Sequence, residues 1–126
     1  MRLNAGIITN RLVETRKFYT EKLGFKVVWE SDWFLLFSTP NGNDTISFLV
    51  PNHPTQGIDQ FRQEFKRSGV YLTIEVDDVD ATYKTIKESG VDIALELRTE
   101  DWGDRHFAII DPNNVGIDFV THTAQE

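Results

Sequence analysis

Three histidines, His53, His106 and His122, and 20 acidic residues against 13 basic ones are the groups with the most evident chemistry. A metal or base site built on histidines needs two of them on one face, which i, i+4 in a helix or i, i+2 in a strand would supply. No pair here has either spacing. His53 lies in a Pro-flanked connector, His106 in a predicted strand and His122 after the last predicted strand. All three read as surface or hydrogen-bonded side chains rather than ligands. With no cysteine, disulfides, thiolate metal sites and a cysteine nucleophile are excluded. Trp29, Trp33 and Trp102 offer indole faces that stack on planar or cationic groups, with packing or subunit contact as the alternative for each. Arg105, close to Trp102, suits an acidic neighbour or an anionic ligand.

These side chains are carried by a repeated pattern of elements. Leu3–Thr9 reads as a strand and Leu12–Leu23 as a helix, on Leu12, Val13, Phe18, Tyr19 and Leu23, stopped by Gly24. Phe25–Glu30 and Trp33–Ser38 are β-branched and aromatic runs that predict a hairpin. Pro40–Asn43 is a turn, and Thr45–Val50 a fourth strand. A connector, 51–69, carries a short helical pattern at Ile58, Phe61 and Phe65. Then come a strand at Val70–Val76, a helix at Val79–Ser89 stopped by Gly90, strands at Ile93–Leu97 and His106–Ile110, a turn at Asp111–Asn114 and a last strand at Val115–Thr121. The order β-α-β-β-β thus occurs twice. A shift of 67 positions lays Asn4 on Tyr71 and matches Ile7 with Ile74, Thr15 with Thr82, Lys17 with Lys84 and Glu21 with Glu88. A shift of 71 matches Ile46 and Phe48 with Ile117 and Phe119.

Size and composition bound the function. The 126 residues, 40% hydrophobic and 26% charged, suit one globular domain with its own core. No apolar run reaches the roughly 18 residues that span a bilayer, and the N-terminal Met1–Asn4 has no secretory pattern. The expected compartment is the cytoplasm, with no membrane partner. A net charge of −7 without a basic, aromatic-interleaved stripe argues against nucleic acid. It is compatible with a cationic ligand, and more readily explained by a role in solubility alone.

Three strings resemble one family. Phe18-Tyr19-Thr20-Glu21-Lys22-Leu23-Gly24-Phe25 is similar to the first-helix signature of the vicinal-oxygen-chelate superfamily, which includes glyoxalases, bleomycin-resistance proteins and extradiol dioxygenases. Thr73–Asp80 resembles the start of its second module, and Trp102–Phe107 with Asp111–Phe119 its closing hairpin. The resemblance implies an α+β fold: two tandem βαβββ modules, 1–50 and 70–122, forming a curved mixed sheet around a cavity with helices outside. It also implies a homodimer. Family enzymes often hold a divalent metal with His, Glu, His and Glu from four strands. The corresponding places here fall on Asn4, Ser47, Tyr71 and Asp118, of which only Asp118 is a routine ligand. The expectation is therefore no metal and no cofactor, and no basis for metal-dependent lyase or dioxygenase chemistry. The closest type is the metal-free bleomycin-resistance-like member.

With the cavity face set by those family places, period-two alternation turns Asn4, Gly6 and Ile8, then Thr45, Ser47 and Leu49, then Tyr71, Thr73 and Glu75, then Gly116, Asp118 and Val120 inward. Ile46, Phe48, Leu72, Ile74, Val76, Ile117 and Phe119 become core. The predicted ligand-binding set is Asn4, Ser47, Tyr71, Thr73, Glu75 and Asp118, joined by Trp33 and Trp102. For Glu75 a merely solvated face, and for Tyr71 half-buried packing, are equal alternatives. The leading function is small-molecule binding, with drug or metabolite sequestration as one form of it. The main competitor is a lyase or dioxygenase-type enzyme using Glu75 or Asp118 as general base, with or without a divalent metal. A third is an interaction domain with a vestigial cavity.

Overall fold

Strands that alternate apolar and polar residues need a helix to cover one face, and each half of the chain supplies its own. The computed structural model describes residues 1–122, and its contacts divide the chain into two compact units, Met1–Lys66 and Arg67–Glu126. Each unit builds a four-stranded mixed sheet.

In the first unit β1 (Ala5–Ile8) lies parallel to β4 (Thr45–Leu49), and β3 (Phe34–Ser38) and β2 (Lys26–Glu30) continue the sheet antiparallel, in the order β1-β4-β3-β2. The partners Gly6↔Ser47 and Leu36↔Ser47 share one face, while Ile7↔Phe48 and Leu35↔Phe48 share the other. That second face is apolar: Ile7, Leu35, Phe37, Ile46 and Phe48 are buried. The predicted single helix is in fact α1 (Leu12–Lys17) followed by one π-helical turn, Phe18–Lys22. The wide turn brings Tyr19, fully buried, into the core, where its ring stacks on Phe37 (centroids 5.6 Å apart) and contacts Phe48 and Phe25. The Phe25 amide then donates to the Tyr19 carbonyl at 2.9 Å. Gly24, at φ +72°, makes the turn that a side chain would strain.

Most of the predicted connector packs with this unit. The Asn52 amide donates to the Arg62 carbonyl (2.9 Å) and the Phe65 amide to the Ile8 carbonyl (2.8 Å). The helical pattern expected at Ile58, Phe61 and Phe65 is reduced to one 3-10 turn, Asp59–Phe61. Its continuation is precluded because the Phe65 amide is spent on β1, and Ile58 and Phe61 stay exposed.

The second unit repeats the plan. β5 (Tyr71–Glu75) lies parallel to β8 (Gly116–Thr121), followed by β7 (Arg105–Ile110) and β6 (Leu95–Thr99), in the order β5-β8-β7-β6. α2 (Val79–Glu88) is capped by Asp78, whose side chain accepts from the Ala81 amide at 3.1 Å. The Thr121 hydroxyl accepts from the Val79 amide (3.1 Å) and donates to the Val76 carbonyl (2.7 Å), tying the end of β8 to the start of the helix. The core is Phe107, Ile109, Ile117, Phe119, Val79 and Ile86, with Phe107 and Phe119 stacked 5.1 Å apart and Tyr83 edge-on to Phe107. β6 runs two residues later than the predicted Ile93–Leu97. A bulge between Leu95 and Arg98 carries it on to the hairpin tip, where the Glu100 amide donates to the Asp104 carbonyl.

Gly6↔Ser47 in the first sheet and Thr73↔Asp118 in the second are equivalent under the same two shifts that align the sequence halves. The repeat therefore extends to strand register. Truncating Phe107 to Ala should cost about 3–5 kcal/mol in urea unfolding. Truncating exposed Trp29 should change stability by no more than about 0.5 kcal/mol.

Candidate functional site

The face of each sheet opposite its helix is open in part, as at Tyr71, and buried in part, as at Ser47 and Val120, and alternation decides what stands there. On the first, Asn4 and Ser47 meet: the Asn4 amide bridges the Thr45 hydroxyl at 2.8 Å and the Ser47 hydroxyl at 2.5 Å. This patch is polar and uncharged. Trp33 is not part of it; its ring lies flat on His53, centroids 3.9 Å apart and planes 12° from parallel.

On the second sheet the open face carries Tyr71, Thr73 and Glu75 from β5, and Gly116 and Asp118 from β8. The β7 partners Ile110↔Gly116, Ala108↔Asp118 and His106↔Val120 add a third row. Its two ends differ. At one end Tyr71, 74% exposed, and half-exposed Ile110 flank Gly116. At the other, charge collects around two imidazoles. His106 Nδ1 lies 2.7 Å from Asp118 Oδ1, and its Nε2 lies 2.9 Å from Glu100 Oε2. Arg98 donates to the same Glu100 oxygen through Nε and Nη2. His122 meets Asp104 through Nδ1 (2.7 Å) and Glu75 through Nε2 (2.5 Å). Trp102 is exposed at the hairpin tip, two residues from Asp104. Arg105 faces away from this cluster and pairs with Asp80 of α2 at 2.9 Å, a structural bridge.

The predicted residues thus fall into groups: Asn4 with Ser47, the row Tyr71, Thr73, Glu75 and Asp118 on one face, Trp102 at its charged end, and Trp33 engaged elsewhere. Arg98, Glu100, Asp104, His106 and His122 were not in the predicted set. The signal for His106 lay in the Asp111–Asn114 turn, since a hairpin closed there pairs residue 106 with 120 and so puts His106 on the Asp118 face. No comparable signal existed for Glu100 and Asp104, whose placement depends on the β6 bulge and the tip.

Both nitrogens of His106 face carboxylates, and both contacts are hydrogen bonds only when each nitrogen carries a proton. Burial opposes the charge on His106, whose side chain is only 12% exposed, but Glu100 and Asp118 outweigh it and raise the imidazole above its ordinary value. Glu100 is held below the usual carboxylate range, first by His106 and then by Arg98. A metal is poorly served by this arrangement. The family places offer an amide already bonded to two hydroxyls, a phenol, and a carboxylate already bonded to an imidazole. Among the described residues no three His, Asp or Glu side chains could hold a metal ion, so a resident divalent metal does not fit these residues.

The His106 network has a definite pH signature. A raised imidazole adds stability that is complete below about pH 6.5 and lost as pH rises through the raised value. His106→Gln should therefore destabilise by about 1–3 kcal/mol near pH 6, and the deficit should shrink at pH 9. Urea unfolding of both proteins at the two pH values checks this, and a deficit that does not change with pH would contradict it.

The comparisons with known proteins agree with this architecture. The family described as the Glyoxalase/Bleomycin resistance protein/Dioxygenase superfamily matches residues 3–119. The uncharacterized protein YetH of Bacillus subtilis (strain 168) is 26% identical over 96 residues, covering 71% of this chain and 72% of YetH. A glyoxalase/bleomycin resistance protein/dioxygenase from Nocardioides superposes with a TM-score of 0.81 at 17% identity, over 100% of this chain and 85% of that one. TnmS3, an antibiotic binding protein from Streptomyces sp. CB03234, does so with a TM-score of 0.75 at 19% identity, over 98% of this chain and 96% of its own. At such identities the two structures establish the shared fold. Among the described residues no helix is long and apolar enough to cross a membrane. With the matched residues running through both modules, the chain belongs to the glyoxalase/bleomycin resistance protein/dioxygenase superfamily.

Proposed function

We propose that this chain is a metal-free small-molecule-binding protein that sequesters a drug or metabolite. Its ligands carry a cationic group on an aromatic or apolar body. The observation that supports this most directly is the polarity of the second open face, with Tyr71 and Ile110 exposed at one end and Glu75, Asp118, Glu100 and Asp104 at the other. Against four carboxylates stand two imidazoles and Arg98, so the end stays acidic whether or not the histidines are protonated. Tyrosine and indole faces beside carboxylates suit an organic cation. The likeness in fold to an antibiotic binding protein is consistent with this reading. The protein acts in the cytoplasm as a two-fold homodimer, which removes some of the exposed apolar surface from water.

The enzyme alternative is less well supported. A carboxylate acting as general base must reach the substrate's proton, and Asp118 is engaged by His106 and Glu75 by His122. A thermal-shift panel separates the readings. Cationic aromatic antibiotics present at about a hundred times their Kd should raise Tm by roughly 5–10 °C. Glu75→Gln should weaken binding by about tenfold, equivalent to about 1.4 kcal/mol. Zinc, nickel, manganese and iron(II) should give no comparable shift. Near-stoichiometric metal in the purified protein, with stabilisation by that metal, would overturn the proposal. Sedimentation showing only monomer at micromolar concentration would remove the dimer from it.

A further inference from the structure

All four strands of the second sheet deliver side chains to one end of it. β5 and β8 are parallel, so Glu75 and His122 emerge together, while β7 starts and β6 finishes beside them. The β6–β7 tip brings Asp104 and Trp102 to the same place. A chain of contacts results, from Asp104 to His122 Nδ1 and from Nε2 to Glu75, with Trp102 on the same tip two residues from Asp104. His122 can satisfy both carboxylates only as the imidazolium, because a neutral ring has one N–H. Of the two carboxylates, Glu75 is 69% exposed and Asp104 27%, so Glu75 is the one that water can readily receive when the bridge opens.

We propose that His122 is a proton-operated latch: protonated, it ties the β6–β7 tip to the end of β5 and occupies Glu75, and deprotonated, it releases both. Access of a cationic ligand to Glu75 then improves as pH rises, a consequence that rests on the binding function proposed above. The latch itself does not depend on that function. Asp104 is the main influence raising the His122 imidazole above its ordinary value, opposed by burial and aided by Glu75. Asp104 in turn is held below the usual carboxylate range, chiefly by His122. Of the other charged groups at this end, His106 is engaged by Asp118 and Glu100, Arg98 by Glu100 and Arg105 by Asp80, while Asp101 in the tip and Asp77 just after β5 add two further carboxylates. With the imidazole raised, the bridge is complete below about pH 6.5 and is lost as pH climbs through the raised value. On the acid side it is lost as Asp104, held below the usual carboxylate range, takes up its proton.

Nuclear magnetic resonance of the ligand-free chain between pH 5 and 9.5 tests this, with the Trp102 indole N–H assigned by Trp102→Phe. That signal should move with an inflection above pH 6.5 that is absent in His122→Gln. In Glu75→Gln, which removes one of the two carboxylates, the inflection should shift to lower pH. An inflection that survives His122→Gln, or its absence across the range in the native chain, overturns the latch. Should His122→Gln fail to fold, Glu75→Gln decides, and an unmoved inflection there overturns it equally. Because no ligand is present, a missing inflection and a negative ligand screen are separate failures.

Discussion

Parallel pairing of the first and last strand of each module is the constraint from which the rest of this structure follows. It forces a helical crossover after the first strand, which covers one face of the sheet and leaves the other bare. It also fixes which residues are bare, because a slip of one position in β5↔β8 would send Glu75 and Asp118 into the core and Ile74 and Ile117 into water. Stacked Phe107 and Phe119 on the covered face make such a slip expensive. Packing on one side of the sheet thereby positions chemistry on the other.

Much of this was legible in the chain. Uninterrupted alternation in β4, β5 and β8 separated Ile46, Phe48, Ile74, Ile117 and Phe119 from Ser47, Glu75 and Asp118, and the helix-stop glycines marked where the crossovers finish. The π-helical turn was not legible, since an extra residue in a turn leaves the apolar spacing almost unchanged; what selects it is the space between Phe37 and Phe48 that the Tyr19 ring fills. The charged end was hidden for a related reason. His106 and His122 are sixteen residues apart in sequence and come to the same end of the sheet only through a hairpin register, and Glu100 and Asp104 reach them only through a bulge.

The two modules share a register but have diverged in what they display. On the face away from its helix the first offers an amide and two hydroxyls, which satisfy one another without charge. The second offers carboxylates balanced by imidazoles. The difference matters energetically. A neutral hydrogen-bonded group responds little to salt or pH, whereas partly exposed ion pairs respond to both. Duplication supplied two faces of the same geometry, and substitution at a few inward positions made only one of them electrostatically responsive.

The hydroxyl of Thr121 has a further effect on how the molecule opens. It holds the first amide of α2 and the carbonyl of Val76 at once, one residue before His122. Fraying of the first turn of the helix therefore loosens the last residue of β8, and peeling of β8 from β5 frees the Val79 amide although Asp78 still caps the helix. In hydrogen-exchange terms these two segments are one cooperative opening unit. The amides at the start of α2 should therefore exchange together with those closing β8, rather than at the rapid rate of an ordinary helix terminus.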